Sequence, residues 1–267
     1  MMRPTPATLS DLIGSIYDCA LDTDLWPVAM ERVCRSFDFV ASQLYVVDFD
    51  TGAHSFARGW GEPPEATAEL RERYGEESAA MQRAVLVRSD DDVPFVMRSD
   101  APPGFLDSRF YRAWALPLGY CDMVSTVVLR DGWRVGQWGV ARHVDVGPAG
   151  AREIEAMRLL APHARRAVTI ADLLETRAVV AEALADTLDR LSLGIGILGA
   201  GGRILHANAA ARAMMAQGRP IRSEGGRLAA GRPEETAALR AAIDMAGRDE
   251  AQLGATGLGL PLRAADG

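Results

Sequence analysis

Between Ala167 and Leu191 the sequence repeats a spacing that constrains the chain more than any other feature. Ala167, Ile170, Leu174, Arg177, Ala181, Leu184, Leu188 and Leu191 follow one another at alternating steps of three and four, and seven of the eight are apolar. A mean step of 3.5 residues keeps such a stripe on one side of a continuous helix, with Arg177 as its one polar interruption. At ~1.5 Å per residue, a helix over residues 163–191 spans roughly 43 Å. That is long for a locally packed element and typical of a rod between domains. The stripe reads as a dimer seam carried by Ile170, Leu174, Ala181, Leu184, Leu188 and Leu191, or as an amphipathic helix docked on its own domain. The regularity of the steps favours the dimer. Helical patterning starts earlier, at Gly150, and Pro162 predicts a kink or restart.

A rod needs a body at each end, and 267 residues supply one large domain or two modest ones. With 48% hydrophobic and 24% charged residues, wholesale disorder is excluded. Upstream, Leu9, Leu12, Ile13, Ile16 and Tyr17 share one helical face. A second helix is expected from Thr23 to Phe37, with Pro27 tolerated in its first turn. The string SQLYVVDFDTGAHSFARGW, interrupted at Asp50-Thr51-Gly52, predicts a hairpin. Residues 65–87 look helical, and the polar RSDDDV ends them. Asp107-Ser108-Arg109 then introduces a short helix in FYRAWALPLGY, stopped by Pro117 and Gly119. Strands over Asp122–Leu129 and Arg134–Arg142 are joined by Arg130-Asp131-Gly132, whose Asp-Gly pair suits a tight turn. Hairpin-linked strands flanked by helices make this block α+β with an antiparallel sheet.

Downstream, a strand over Gly194–Leu198, a glycine-rich turn and a strand over Arg203–His206 lead into a helix capped by Asn208. A loop with Gly225-Gly226, a helix over Glu234–Ala246 and a strand follow, the last with Leu258, Leu260 and Leu262 at period two. Ala265-Asp266-Gly267 is a turn signal with nothing to turn into, which leaves an unfinished sheet edge and predicts that the parent chain continues.

Chemistry-bearing motifs are sparse. His54, His143, His163 and His206 lie far apart, none at metal-ligand spacing from a cysteine or carboxylate, so no metal is expected. Asp90-Asp91-Asp92 reads as a solvated loop, because no second group of oxygen ligands accompanies it. Gly196, Gly199, Gly201 and Gly202 lack the Gly-Lys-Ser/Thr ending of a phosphate loop, and a hairpin turn accounts for them. No nucleophile elbow and no sequence-adjacent Cys–His pair occurs, so no catalytic residue is assigned and no enzyme activity is expected. The net charge of -7 and the absence of a basic stripe leave no DNA-reading element in these residues. Cys19, Cys34 and Cys121, odd in number and widely spaced, fit reduced thiols of a cytosolic protein. MMRPTPATLS lacks the apolar core of a signal peptide, and Val124 to Leu129 is far shorter than the ~20 residues of a membrane span. The aromatics Tyr45, Trp60, Phe110, Tyr111, Trp114, Tyr120, Trp133 and Trp138 all fall in the first block. Tyr45, Trp60, Phe110, Tyr111 and Trp114 are candidates to line a small-molecule cavity, with core packing as the alternative. Phe110 and Trp114, four residues apart, share a helical face.

The string LDRLSLGIGILGAGGRILHANAAARAMM resembles the opening of a PAS domain, with two short strands, a turn and the Asn208 helix start. The first block resembles a GAF-like sensor. LIGSIYDCALDTDLWPVAMERVC, SRFYRAWALPLGYCDMVSTVVL and RLLAPHARRAV look like the N-terminal part of bacterial regulators with a C-terminal LuxR-type helix-turn-helix. The resemblance implies a GAF-like domain over 1–162, a connecting helix over 163–191 and a PAS-like domain over 192–267 that lacks its last strands. It further implies the signal-sensing, dimerising region of a cytoplasmic transcription regulator that meets DNA only through a domain missing from this chain. No counterpart of an acyl-homoserine-lactone pocket is evident. PAS domains can hold haem or flavin, but a lone His206 is no case for either, and no cofactor is expected. The rival reading keeps the sensor and assigns the missing output to a histidine kinase or a cyclic-dinucleotide synthase.

Overall fold

Helix α1 (Pro6–Asp18) starts where the Thr8 amide donates to Thr5 Oγ1, with proline at the first helical position, where its missing N–H costs nothing. Helix α2 (Trp26–Phe37) ends at Asp38, which takes the left-handed conformation. The computed structural model describes residues 5–88, 91–248 and 259–263. They belong to two units, Met1–Glu175 and Thr176–Gly267.

In the first unit, β1 (Ala41–Asp48) and β2 (His54–Trp60) form the expected hairpin. The Asp48 carboxylate closes its turn by accepting from the Asp50 and Thr51 amides. The helical stretch after it is two helices, α3 (Pro64–Arg73) and α4 (Gly75–Arg88), because Tyr74 leaves helical geometry to bury its ring against Phe110. After β3 (Phe95–Val96), α5 (Met97–Asp100) and a wide turn at Tyr111–Ala115 come β4 (Tyr120–Asp131) and β5 (Arg134–His143). All pairings are antiparallel and the sheet order is β2-β1-β5-β4-β3.

Side chains alternate across a strand, so one face of this sheet carries Leu44, Val46, Val124, Trp138 and Val140. These pack with α1, α2 and the first part of α6 (Ala151–Asp189) as a closed core. Trp138 is fully buried and its indole N–H donates to Ser42 Oγ at 2.9 Å. Helix α6 passes through Pro162 without the predicted restart. Leu160, Ala161 and Ala164 are buried on both sides of the proline, and that packing supports helical structure through it. The helix ends at Asp189, so Leu191 lies beyond it. Asp91 and Asp92 are not simply solvated. Asp91 receives the Arg130 guanidinium and Asp92 that of Arg165 on α6, while Asp90 lies outside the described residues.

The second unit is also α+β. Strands β6 (Gly196–Gly199) and β7 (Arg203–Ala207) pair as a hairpin, α7 (Ala209–Gln217) follows, and β8 (Ile221–Glu224) and β9 (Arg227–Ala230) form a second hairpin before α8 (Pro233–Arg248). The sheet order is β6-β7-β9-β8. The expected loop at Gly225-Gly226 is therefore a hairpin turn, since both glycines take positive φ, which tight two-residue turns demand. Of the expected last strand, the described residues 259–263 form none and Leu260 is exposed, while Leu258 and Ala265-Asp266-Gly267 lie outside the described residues. Asn208 caps α7, accepting from the Ala211 amide at 3.0 Å. No helix among the described residues is long and apolar enough to cross a membrane.

Candidate functional site

The second face of the five-stranded sheet is built from small residues. Gly59 on β2 pairs with Gln43 on β1, Gln43 with Gly139 on β5, and Gly139 with Ser125 on β4. Ala57, Ala41 and Ala141 continue that surface in the neighbouring rows. The nearest atoms that a Cβ at Gly139 would meet are Met123 Sδ at 3.5 Å, Ser125 Oγ at 3.9 Å and Val124 O at 4.0 Å, all ordinary contacts. Where the opposite face has Trp138 and Val140, this face has glycine and alanine, and a cavity of about 390 Å³ lies over it. That volume falls in the range of small-molecule sites.

Helices α3 and α4 and an aromatic cluster wall the cavity. The Leu116 amide donates to Tyr111 O at 2.8 Å, five residues back, a widened helical turn of the kind found at functional sites. It places Phe110 and Trp114 in a stack, centroids 5.2 Å apart, with Tyr120 edge-on to Trp114 at 6.0 Å. The Trp114 indole N–H donates to Ala66 O at 2.9 Å, which fixes the ring against the first turn of α3.

The polar groups of the lining are few. The hydroxyl of the half-buried Tyr45 donates to Gln137 Oε1, and desolvation pushes that phenol above its ordinary range. Glu62 accepts from Thr67 Oγ1 at 2.7 Å and bonds the Gln43 side chain. Burial raises the Glu62 carboxyl above the usual carboxylate range. The Tyr120 hydroxyl is pushed upward by its own burial and then by the charge of Glu62. Asp122 is buried with its oxygens committed to the Arg98, Met123 and Ala149 amides. Arg71, Arg83 and His54 also line the site, but all three are solvent-exposed.

Of the sequence candidates, Tyr45, Phe110 and Trp114 line this cavity. Tyr111 is buried beside it with its hydroxyl donating to Cys121 O. Trp60 does not line the cavity and packs against the opposite core. Strand parity explains the correction: on β2, Ala57 lines the cavity, so Phe56 and Trp60, an odd number of residues away, face the other side. The sequence reading passed over Glu62, Gln137 and Gly139. The β5 string Val135-Gly136-Gln137-Trp138-Gly139-Val140-Ala141 carried a usable signal, bulky at 138 and 140 and slight at 139 and 141.

The proposed seam residues lie on α6 and just past it. Ile170, Leu174 and Leu184 are 40%, 45% and 61% exposed, Ala181 and Leu191 are exposed, and Leu188 is half-buried. Among the described residues no three His, Cys, Asp or Glu side chains are grouped to hold a metal ion.

Neither a protein-family model nor a curated protein matches the sequence. Solved structures to which this chain is similar include the ligand-binding domain of VqsR from Pseudomonas aeruginosa, at 13% identity and a TM-score of 0.47, covering 61% of this chain and 94% of that one. CepR2 from Burkholderia cenocepacia, an N-acylhomoserine lactone dependent LuxR family transcription factor, has 15% identity and a TM-score of 0.44 over 61% of this chain and 94% of that one. The GAF domain of a phosphoenolpyruvate-protein phosphotransferase from Coxiella burnetii has 14% identity and a TM-score of 0.43 over 65% and 99%.

Proposed function

We propose that this chain is the small-molecule-sensing and dimerising region of a cytoplasmic, LuxR-type transcription regulator, and not an enzyme. The observation that carries the sensing role is the cavity of about 390 Å³ over one face of a sheet whose other face is close-packed. Packed interiors hold few voids larger than a water molecule, so a hollow lined by aromatics and a few convergent polar groups has the character of a ligand site. Dimerisation rests on the regular stripe of α6 and the exposure of Ile170, Leu174 and Leu184. A heptad stripe is complementary to a second copy of itself, which closes as a twofold pair. Operator binding belongs, on the sequence resemblance, to a helix-turn-helix module outside these residues. A ligand would act by binding one arrangement of the α6 pair more tightly than another.

The test of the sensor is Gly139→Leu, which fills the hollow from its floor with little to collide with. Thermal-shift screening of a metabolite panel is expected to find compounds that raise the melting temperature of the wild type and not of Gly139→Leu. A panel that moves both proteins equally, or neither, refutes the sensing role. The test of the dimer is sedimentation: the wild type should associate with concentration and Leu184→Glu should not.

A further inference from the structure

The cavity is chemically one-sided. Its aromatic wall of Phe110, Trp114 and Tyr120 adjoins a carboxylate, since Trp114 is bonded to Ala66 and Glu62 is bonded to the next residue, Thr67. No arginine among the described residues forms an ion pair with Glu62, and the chain contains no lysine at all. Glu62 is half-buried; a carboxylate partly withdrawn from water without a cation carries a cost, and that cost is relieved when a cation arrives. The other charged groups of the lining do not serve Glu62. Asp122 and Asp48 are occupied by backbone amides, and Arg71, Arg83 and His54 are exposed to solvent. Thr67 and Gln43 leave acceptor capacity on Glu62, which has about four lone-pair sites. Aromatic faces, tryptophan above all, attract cations through their negative π-surface.

We propose that the cavity binds an organic amine, with its ammonium group paired to Glu62 and its apolar body against Phe110, Trp114 and Tyr120. The proposal rests on the reading of this cavity as a ligand site and adds the charge that site selects. An anionic ligand would meet an uncompensated carboxylate, and a neutral one would leave that carboxylate without a cation.

Two matched series of probes test it by calorimetry on the 267-residue chain: tryptamine, tryptophol and indole-3-acetate, then octylamine, octanol and octanoate. In at least one series the amine should bind tenfold or more tighter than the alcohol, which is about 1.4 kcal/mol, and the acid should not bind. Glu62→Gln should abolish that preference while the alcohol still binds, a result that loss of folding would not give. Gly139→Leu should abolish binding of the whole series. The proposal is overturned if an alcohol or acid matches its amine in both series, if Glu62→Gln keeps the preference, or if no amine binds. When acids or alcohols bind and Gly139→Leu blocks them, the amine is wrong and the sensor stands. When nothing binds and no metabolite shifts the wild type, the sensor reading falls with it.

Discussion

Replacing Asn208 by alanine should unfold the second unit selectively. Asn208 is fully buried, and its amide makes four hydrogen bonds of 2.8–3.0 Å. Oδ1 accepts from the Ile195 and Ala211 amides, and Nδ2 donates to Leu188 O and Leu193 O. One side chain thereby ties the end of α6, the approach to β6 and the first turn of α7. Each bond contributes a net ~1 kcal/mol. Leu193 is exposed, so water replaces the bond to its carbonyl, and the loss comes to about 3 kcal/mol by the same yardstick. For a unit of this size 1 kcal/mol moves the melting temperature by about 4–8 °C, so the shift is about 12–24 °C. The assay is internally controlled. Trp26, Trp60, Trp114, Trp133 and Trp138 all lie in Met1–Glu175, so tryptophan fluorescence follows the first unit while far-ultraviolet circular dichroism follows both. Asn208→Ala should split the dichroism transition and leave the fluorescence midpoint in place, with exchange protection lost at the Ile195 and Ala211 amides. Asn208→Asp should be at least as damaging at neutral pH, since its second oxygen faces two carbonyls. Burial beside two carbonyls raises that carboxyl, so stability should recover partly as pH falls toward the ordinary aspartate value of ~4, where one donor has returned. A dichroism shift of less than ~2 °C, about 0.3–0.5 kcal/mol on that scale, refutes the reasoning, as does an equal shift in fluorescence.

Two further outcomes follow from burial. The Glu62 carboxyl titrates above its ordinary value in the folded protein, so the folded state holds that proton more tightly than the unfolded chain. Through this group stability is greatest where the carboxyl is neutral and declines as pH rises through the raised value. An amine needs the ionised form, so tryptamine affinity should decline as pH falls through the same range, and Glu62→Gln should flatten both profiles in calorimetry and melting curves. Cys19 and Cys34 are buried and their thiols are pushed up to about 12, chiefly by desolvation. Thiolate is the reactive form, so an aromatic disulfide reagent at pH ~8 should label neither until denaturant is added; rapid labelling of the native protein contradicts this burial.

The features legible in the sequence are those set by near neighbours. Asp50-Thr51-Gly52 and Asp131-Gly132 determine hairpins within a few residues, and they were enough to give an antiparallel α+β first unit. The α6 stripe was legible for the same reason. The cavity was not, because its floor is a row contributed by Gln43, Gly139 and Ser125 from three strands, and register between distant strands leaves no mark on any one of them. Trp60 shows the cost: an aromatic in the right block lies on the wrong face, and only pairing of Trp60 with Ser42 fixes which face that is. The pair β8 and β9 was missed because Ile221–Glu224 and Arg227–Ala230 are short and carry little apolar alternation.

Helix α6 changes character along its length, and that change bears on how a cavity on one side of the sheet can matter elsewhere. Its buried apolar residues run Ala156, Met157, Leu160, Ala161, Ala164, Ala167 and Val168, the steps of a helix docked on a core. After Val168 the burial ends, but the apolar spacing does not: Ile170, Leu174, Ala181 and Leu184 continue it in the open. Ala167 belongs both to the docked face and to the stripe, so the two are one face carried past the edge of the core. Arg134 to Asp172 and Arg165 to Asp92 join this transition to β5 and to the segment following α4, a cavity-lining helix. Partly exposed ion pairs contribute only ~1 kcal/mol at most, too little to hold the helix and enough to bias it. The core sets where α6 lies, and these weaker links are the ones that a change at α4 would alter first.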